Sequence, residues 1–473
     1  MLQTSKLITK NINKTILQSN VTFLNNNHIN TIINNIKKQD KIDYLDLVSI
    51  PSFDSEKKII IPSPFLNNLN QMGEHAISYM KNVGEYKQFY ESLPTNNKPP
   101  FLNLTIGGVN RKTEPRTNYD SSSRGYITHL NDTHKHYVSK IFKQLGCDIE
   151  EDKVAVSPMR SKLALQHIFG LFQPGVIVAH KPNYKATIDA AVMNYGHISI
   201  EVDVRERYSS LFNEVRKQAN LSENKNKPII LLLVCPHNPT AISMNDHEEK
   251  ELHKLIKDVP NVSVIHDIAY QGYHKYNRDA GKRYRDFGMP HKNQIYIAIL
   301  STSKSIYASG QPAFWFSDKN SFPFLLDHYQ RVATGPTSTF VHDLPYYYET
   351  LDNDYMRSVE DNIQKPLLKF IEHNKKIWGI DFWIKPDGPP FITLDITKKL
   401  KELDMSDNQF RELTLRLGCP VLVTNGCLRI ALTGFKKNKH IELLDKIKER
   451  LSYIFLLNKT DPIISTFKQS YLK

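Results

Sequence analysis

Residues 229–240 read Ile-Ile-Leu-Leu-Leu-Val-Cys-Pro-His-Asn-Pro-Thr, seven apolar residues closed by a proline-rich polar turn. A continuous apolar run of this length, stopped by prolines, predicts a strand buried on both faces, as in a parallel sheet covered by helices. It is far shorter than the roughly 18 residues that a membrane-spanning helix requires, and the chain holds no longer run. Two other runs share its plan. Val262–His266 leads into Asp267-Ile268-Ala269-Tyr270, and Ile295–Leu300 leads into Ser301-Thr302-Ser303-Lys304. Working outward, Val176–Ala179 and His197–Val202 read as further strands, with helices over Met159–Phe172 and Asp246–Lys257 between them. The second helix has acids at its start (Asp246, Glu248, Glu249) and lysines at its end (Lys254, Lys257), as the helix dipole favours.

Strands alternating with helices predict an α/β fold: a large domain whose mostly parallel central sheet is flanked by helices. After about Ser338 the pattern changes to a long helical stretch. Strands over Phe391–Ile396 and Leu428–Leu432 and a closing helix over Lys439–Leu456 follow, which predicts a smaller C-terminal α+β domain. Pro94–Pro100, with Asn96, Asn97 and Pro99, reads as a linker. Three parts are therefore expected: an N-terminal extension or arm over 1–100, a large domain over 101–340 and a small domain over 341–473. The start of the extension differs from the rest in composition, with five lysines, nine asparagines and no acid before Asp40. As a helix it would set Lys6, Lys10 and Lys14 nearly opposite Ile8, Ile12 and Ile16. That pattern suits an import peptide or a surface helix, and its lack of arginine counts against import.

Across 473 residues, 62 Lys and Arg against 49 Asp and Glu leave a net charge of +13. The basic residues come as short pairs interleaved with acids, which describes a dispersed basic surface rather than a nucleic-acid stripe. With 40% apolar residues the chain is neither disordered nor fibrous. Cys147, Cys235, Cys419 and Cys427 show no C-x-x-C spacing, so neither a disulfide framework nor a zinc knuckle is indicated. A reducing, cytoplasmic setting with no membrane segment is the expectation.

In open α/β sheets, ligand groups sit beyond the carboxyl ends of the strands. Taken singly, Asn238-Pro239 is a turn, Asp267 a helix cap and Lys304 a solvated side chain. Asp267 follows Asn238 by 29 residues and Lys304 follows Asp267 by 37, room for one helical crossover each, so all three can meet at one sheet edge. Together, Asn238-Pro239-Thr240, Asp267 to Tyr270 and Ser301 to Lys304 resemble, in this order, the signatures of the class I and II aminotransferases. These are pyridoxal-phosphate-dependent enzymes of the aspartate aminotransferase fold, also called fold type I. The resemblance spans roughly residues 100–440.

The resemblance implies pyridoxal 5'-phosphate as cofactor and a Schiff base on Lys304. A lysine held near a cation or in a dry site gives up its proton readily enough for that chemistry. Asp267 would keep the pyridine nitrogen protonated, and Asn238 and Tyr270 would face the phenolic oxygen. The Asn238-Pro239 bond is a candidate for the cis form. The resemblance further places Tyr184, in Pro182-Asn183-Tyr184, over the ring. Val156–Phe172 would be the phosphate turn and helix, with Ser161 and Ser301 as phosphate ligands. Arg429, in Asn425-Gly426-Cys427-Leu428-Arg429-Ile430, would fork onto the substrate carboxylate, with Asn238 and Gly108 of the Gly107-Gly108 pair at the substrate edge. Tyr119 would reach the phosphate of a neighbouring subunit, which implies a homodimer with shared sites.

Two departures from the family pattern stand out. The arginine expected eight residues after the lysine is Pro312, and Arg160 stands where a small residue is usual, so Arg160 is a candidate replacement for the lost phosphate clamp. The glycine that closes the asparagine motif is Ala241, and the phosphate turn carries Pro158 and Met159 where glycines are usual. The reading is an aminotransferase that moves an amino group between an amino acid and a 2-oxo acid. Decarboxylation, elimination or oxidative deamination on the same fold is the alternative, because the lysine does not choose which bond breaks. A degenerate relative serving as a binding module is the further alternative, set against the joint presence of Asn238, Asp267, Tyr270, Lys304 and Arg429. His342, Tyr346 to Tyr348 and Arg331 are candidates for the side-chain pocket or for ordinary surface.

Overall fold

The computed structural model describes residues 83–84, 86–88, 90–92, 100–105, 130–272, 289–291, 293–306, 311–332, 335–351 and 353–471. The chain divides into two compact units, Leu104–Lys399 with Leu422–Ser452, and the segment up to Asn103 with Leu400–Val421 and Tyr453–Lys473.

Among the described residues, the two sheets both lie in the first of these units. Seven strands, β1 (Val154–Val156), β2 (Val176–Lys181), β3 (Ile198–Asp203), β4 (Ile229–Val234), β5 (Val262–Asp267), β6 (Tyr296–Leu300) and β7 (Phe314–Ser317), lie in the order β1-β7-β6-β5-β4-β2-β3. Only β7 runs against the rest. The strand residues divide by parity, as a two-faced buried sheet requires. Ile230, Leu232, Val234, Ile265 and Ile299 join one apolar cluster with helices Ser161–Phe169, Lys185–Tyr195 and Phe322–Val332. Ile229, Leu231, Leu233, Val264 and Leu300 join the other, with helices Asp132–Gln144, Arg207–Asn220 and Asp246–Asp258. The last of these starts at a reciprocal cap, in which Asn245 Oδ1 accepts from Glu248 N and Glu248 Oε2 accepts from Asn245 N, both at 2.9 Å.

Register sets the level of the strand ends. Val234 lies beside Asp267 and Asp267 beside Ile299, while Val156, Phe314 and Leu300 are mutually in register. The segments leaving β1, β4, β5 and β6 therefore emerge at one edge. The helix expected over Met159–Phe172 is shorter, Ser161–Phe169, because Ser157 and Met159 are taken up by Ala313. Ser157 N donates to Ala313 O at 2.7 Å and Ala313 N to Met159 O at 3.1 Å, which extends the β1–β7 ladder by a few residues.

The second sheet of this unit has the order β10-β11-β9-β8, with β8 (Asp381–Ile384), β9 (Phe391–Asp395), β10 (Leu422–Thr424) and β11 (Cys427–Ala431), all antiparallel. Asn425 (φ 51°) and Gly426 (φ 75°) form the two-residue turn between β10 and β11. Positive φ at both positions is what a turn matching strand twist demands, and a Cβ on Gly426 would lie 2.4 Å from Thr397 Oγ1. This turn fixes the register that pairs Leu422 with Arg429.

In the other unit, helix Asp407–Arg416 starts at a Ser406–Gln409 capping box. It buries Arg416, whose guanidinium meets Glu412 Oε1 at 2.8 Å and Ser470 Oγ at 2.7 Å, the latter on helix Pro462–Tyr471.

Candidate active site

Lys304 lies on the short helical turn Thr302–Ser305 just past β6, with its Nζ 6.0 Å from the centre of the Tyr270 ring. Burial, helped by the Arg429 charge and opposed by Asp267, lowers the lysine from the usual 10.5 to about 8. Asp267 is the last residue of β5, where burial pushes its carboxyl up to about 6 against the hydrogen bond from Ala269 N (2.9 Å) and the Lys304 charge. Tyr270 is buried and its phenol is raised by that burial, with Arg429 opposing. Tyr184, half-buried at the start of helix Lys185–Tyr195, is raised by burial and then by the Asp267 charge. These groups thus belong to one electrostatic cluster.

Arg429 completes it. Its guanidinium is buried, with Nη1 donating to Asn238 Oδ1 at 2.8 Å and Nη2 to Thr105 O at 2.6 Å. Among the described residues no carboxylate pairs with it, and Nε has no partner. Of an arginine's five N–H donors, two are spent on described residues and Nε finds no partner among them, an arrangement on a buried cation that favours the binding of an anion. The Phe391 ring lies under the guanidinium, 4.5 Å from Cζ to its centroid, and stands edge-on to Tyr270 at 5.0 Å. Asn238 follows β4 on the Pro236–Thr240 turn, and its bond to Pro239 is cis, as are Lys181-Pro182, Cys235-Pro236 and Pro389-Pro390.

The turn after β1 is different in character. Ser157 is buried and its hydroxyl accepts from Met159 N at 3.1 Å, Arg160 is exposed, and Ser161 begins the helix half-buried. Across the ladder Pro312 is buried, and Thr302 Oγ1 donates to Gln311 O at 3.2 Å. Ser301 is buried with its hydroxyl 2.8 Å from that of Ser303.

Asn238, Asp267, Tyr270, Lys304 and Arg429 therefore come together, Tyr184 shares the field of Asp267, and Ser161, Ser301 and Arg160 sit on the segments leaving the same sheet edge. Gly107, Gly108 and Tyr119 lie outside the described residues. The candidates for a side-chain pocket are engaged elsewhere: Arg331 Nε binds Asp327 at 2.7 Å, Tyr347 is in the core, and Tyr348 and His342 pack on Tyr137 and His134. Thr105 and Phe391 escaped the sequence reading, since a backbone acceptor leaves no trace in residue identity and Phe391 reads simply as the first apolar residue of a strand.

The donor set fits pyridoxal phosphate: an amine of lowered proton affinity for the aldehyde, a half-buried carboxylate for the ring nitrogen, and hydroxyls around a helix start for the phosphate. Among the described residues no cluster of His, Cys, Asp or Glu is arranged to hold a metal ion, and no helix is long and apolar enough to cross a membrane.

Solved structures share the fold. An aspartate aminotransferase double mutant from Thermus thermophilus matches with a TM-score of 0.59 at 14% identity, covering 82% of this chain and 98% of that one. Substrate-bound BacF from Bacillus subtilis matches at 0.62 and 17%, covering 83% and 98%. YbdL from Escherichia coli, described with a methionine aminotransferase function, matches at 0.58 and 14%, covering 82% and 100%. No curated protein matches the sequence significantly. Identities this low bear on the fold alone, but the family model for aminotransferase class I and II matches residues 111–447, so the chain belongs to that family of pyridoxal-phosphate-dependent enzymes.

Proposed function

We propose that this chain is an aminotransferase that moves an amino group from an amino acid to a 2-oxo acid, with Lys304 as its reactive amine. The observation that carries the reading is that Lys304, 6.0 Å from the Tyr270 ring, lies within the fields of both the Asp267 carboxylate and a buried arginine that has no carboxylate partner among the described residues. Pyridoxal phosphate, when bound, supplies an aldehyde for the amine and a ring that withdraws electrons from the substrate Cα. Lys304 Nζ, uncharged above about pH 8, is the base that takes the Cα proton and returns it. With the cofactor bound, Asp267 would hold the ring nitrogen, Asn238 and Tyr270 would serve the phenolic oxygen and Tyr184 would cover the ring. Arg429 receives the α-carboxylate of amino acid and oxo acid alike, with Asn238 beside it.

At the phosphate end, Ser161 and Ser301 supply hydroxyls. The bonds of Ala313 to Ser157 and Met159 set residues 158–160 against 311–313, which supports Arg160 as a cation beside Pro312. Assembly as a homodimer that shares its sites through Tyr119, and residence in a reducing, cytoplasmic compartment, belong to the same reading.

The test is the absorbance of the purified protein with pyridoxal phosphate, before and after borohydride, followed by single amino acids. A visible band trapped on Lys304 that bleaches with an amino acid and returns with an oxo acid is the expected result. Bleaching without return overturns transamination in favour of another pyridoxal reaction, and no band at high cofactor overturns the enzyme reading.

A further inference from the structure

Among the described residues, two hydrogen bonds hold the buried Arg429 cation, yet it must present a flat fork of N–H groups at one angle to receive a carboxylate in two-pronged fashion. Two bonds at the Nη ends leave the guanidinium free to tip about the line joining them. The group that stops this is the ring of Phe391, fully buried, which covers one face of the guanidinium. An aliphatic side chain would fill the space but would leave a desolvated charge against hydrocarbon, whereas the face of an aromatic ring attracts it.

The ring's position is itself constrained. Phe391 opens β9 just after the Gly388-Pro389-Pro390 turn, and one buried side chain holds that turn: Gln364 Nε2 donates to Gly388 O at 2.6 Å and to Phe391 O at 3.2 Å. Gln364 ends a π-helical stretch, Glu360–Gln364, that interrupts the α-helices Asn353–Val359 and Lys365–Trp378. Such widened turns are rare and are found mostly at functional sites. Asp387 ties the other end of the turn to the segment that follows Asn238, with its N donating to Ala241 O at 3.2 Å and its Oδ2 accepting from Ser243 N at 2.9 Å. One turn thus links Phe391, beneath the guanidinium, to the segment that follows Asn238.

We propose that Phe391, held in place by Gln364, is a positioning residue that fixes the plane of the Arg429 guanidinium and so sets the affinity for the substrate carboxylate. The inference rests on the aminotransferase reading. The experiment compares Phe391→Leu, Phe391→Tyr and Gln364→Met with the unaltered holoenzyme for KM of donor and acceptor, kcat, and the visible cofactor band with its pH midpoint. Phe391→Leu is expected to raise both KM values about tenfold, in line with a buried cation–π contact, with kcat within about twofold and the band unchanged. Phe391→Tyr, which keeps the ring face, restores KM to within about threefold, and Gln364→Met shows the pattern of the leucine variant at smaller size. Unaltered KM in Phe391→Leu overturns the proposal, and so does a loss shared equally by kcat, the band and thermal stability, since that marks ordinary core packing. Should Phe391→Leu not fold, the KM of Gln364→Met decides by the same criterion. If the holoenzyme carries the band but turns over no amino acid, the functional reading fails while this inference is still decided, by the propionate concentration that half-shifts the band. A tenfold rise in Phe391→Leu upholds it and equality overturns it.

Discussion

The two ends of the candidate pocket are built on different principles. Where β4, β5 and β6 end, charge is held largely out of water: Asp267 and Lys304, each half-buried, push each other's protonation, Arg429 is buried, and the buried rings of Tyr270 and Phe391 pack edge-on beside it. At the turn after β1 the groups are hydroxyls, and the cation of that turn, Arg160, is exposed. Electrostatic effects in a dry site are several times those at a surface. The ring end therefore sets the chemistry, and the phosphate end sets mainly how firmly the cofactor stays. Substitutions at the two ends should differ accordingly in size and in kind.

The largest effect expected is that of Lys304→Ala. Turnover should fall by roughly four powers of ten or more, the scale for loss of a reactive nucleophile, and borohydride should no longer fix cofactor to the protein. Residual turnover within tenfold of the parent would mean that another amine does the work. Next is Asp267→Asn, which cannot neutralise a protonated ring nitrogen. Its half-reaction rate with an amino acid should drop by about two to three powers of ten, the scale for one buried electrostatic partner, while the cofactor remains bound. A loss of binding instead of rate would erase the contrast between the two ends.

The pH dependence sharpens the same point. Only the neutral amine attacks an aldehyde, so the rate at which free pyridoxal phosphate loads should climb about tenfold per pH unit below about 8 and level off above it. Arg429→Gln removes a cation that lowers the lysine and should move the midpoint up, and Asp267→Asn removes an anion that raises it and should move the midpoint down. Linkage gives a check without cofactor. The folded-state value of Lys304 lies below its unfolded value, so between about 8 and 10.5 the unfolded chain binds the extra proton. This group's contribution to stability should thus rise with pH across that window. A loading midpoint near 10 would show that the ring end is wet.

How far each end was legible follows from the same physics. β4 and β6 are continuous apolar runs and β2 opens on one, and such runs announce buried strands without help from the rest of the chain, while β3 shows the alternation of a half-exposed edge strand. β1 and β7, of three and four residues, are too short to stand out, yet they decide which residues face each other at the phosphate end. Asp267 and Lys304 were readable because each sits at a fixed short offset from its strand. The Arg429–Asn238 contact joins positions 191 residues apart, and the Phe391 contact depends on the β9–β11 register; neither is a local property of the sequence. The exposure of Arg160 was equally out of reach, since a residue type does not state its solvent access.

The smallest effect tests the weaker end. If Arg160 serves the phosphate, Arg160→Ala should weaken pyridoxal phosphate about tenfold, the value of one charge-assisted contact that is partly solvated. It should leave the affinity for pyridoxal, which has no phosphate, unchanged. High salt should narrow the gap between parent and variant, because an exposed charge is screened. The ladder through Ala313 sets residue 160 against the segment of Pro312, so Pro312→Arg added to Arg160→Ala should recover part of the loss by returning a cation to the same neighbourhood. Equal losses for both forms of the cofactor would show that Arg160 shapes the helix start rather than binding an anion. The phosphate end would then rest on Ser161, Ser301 and the backbone amides of that helix alone.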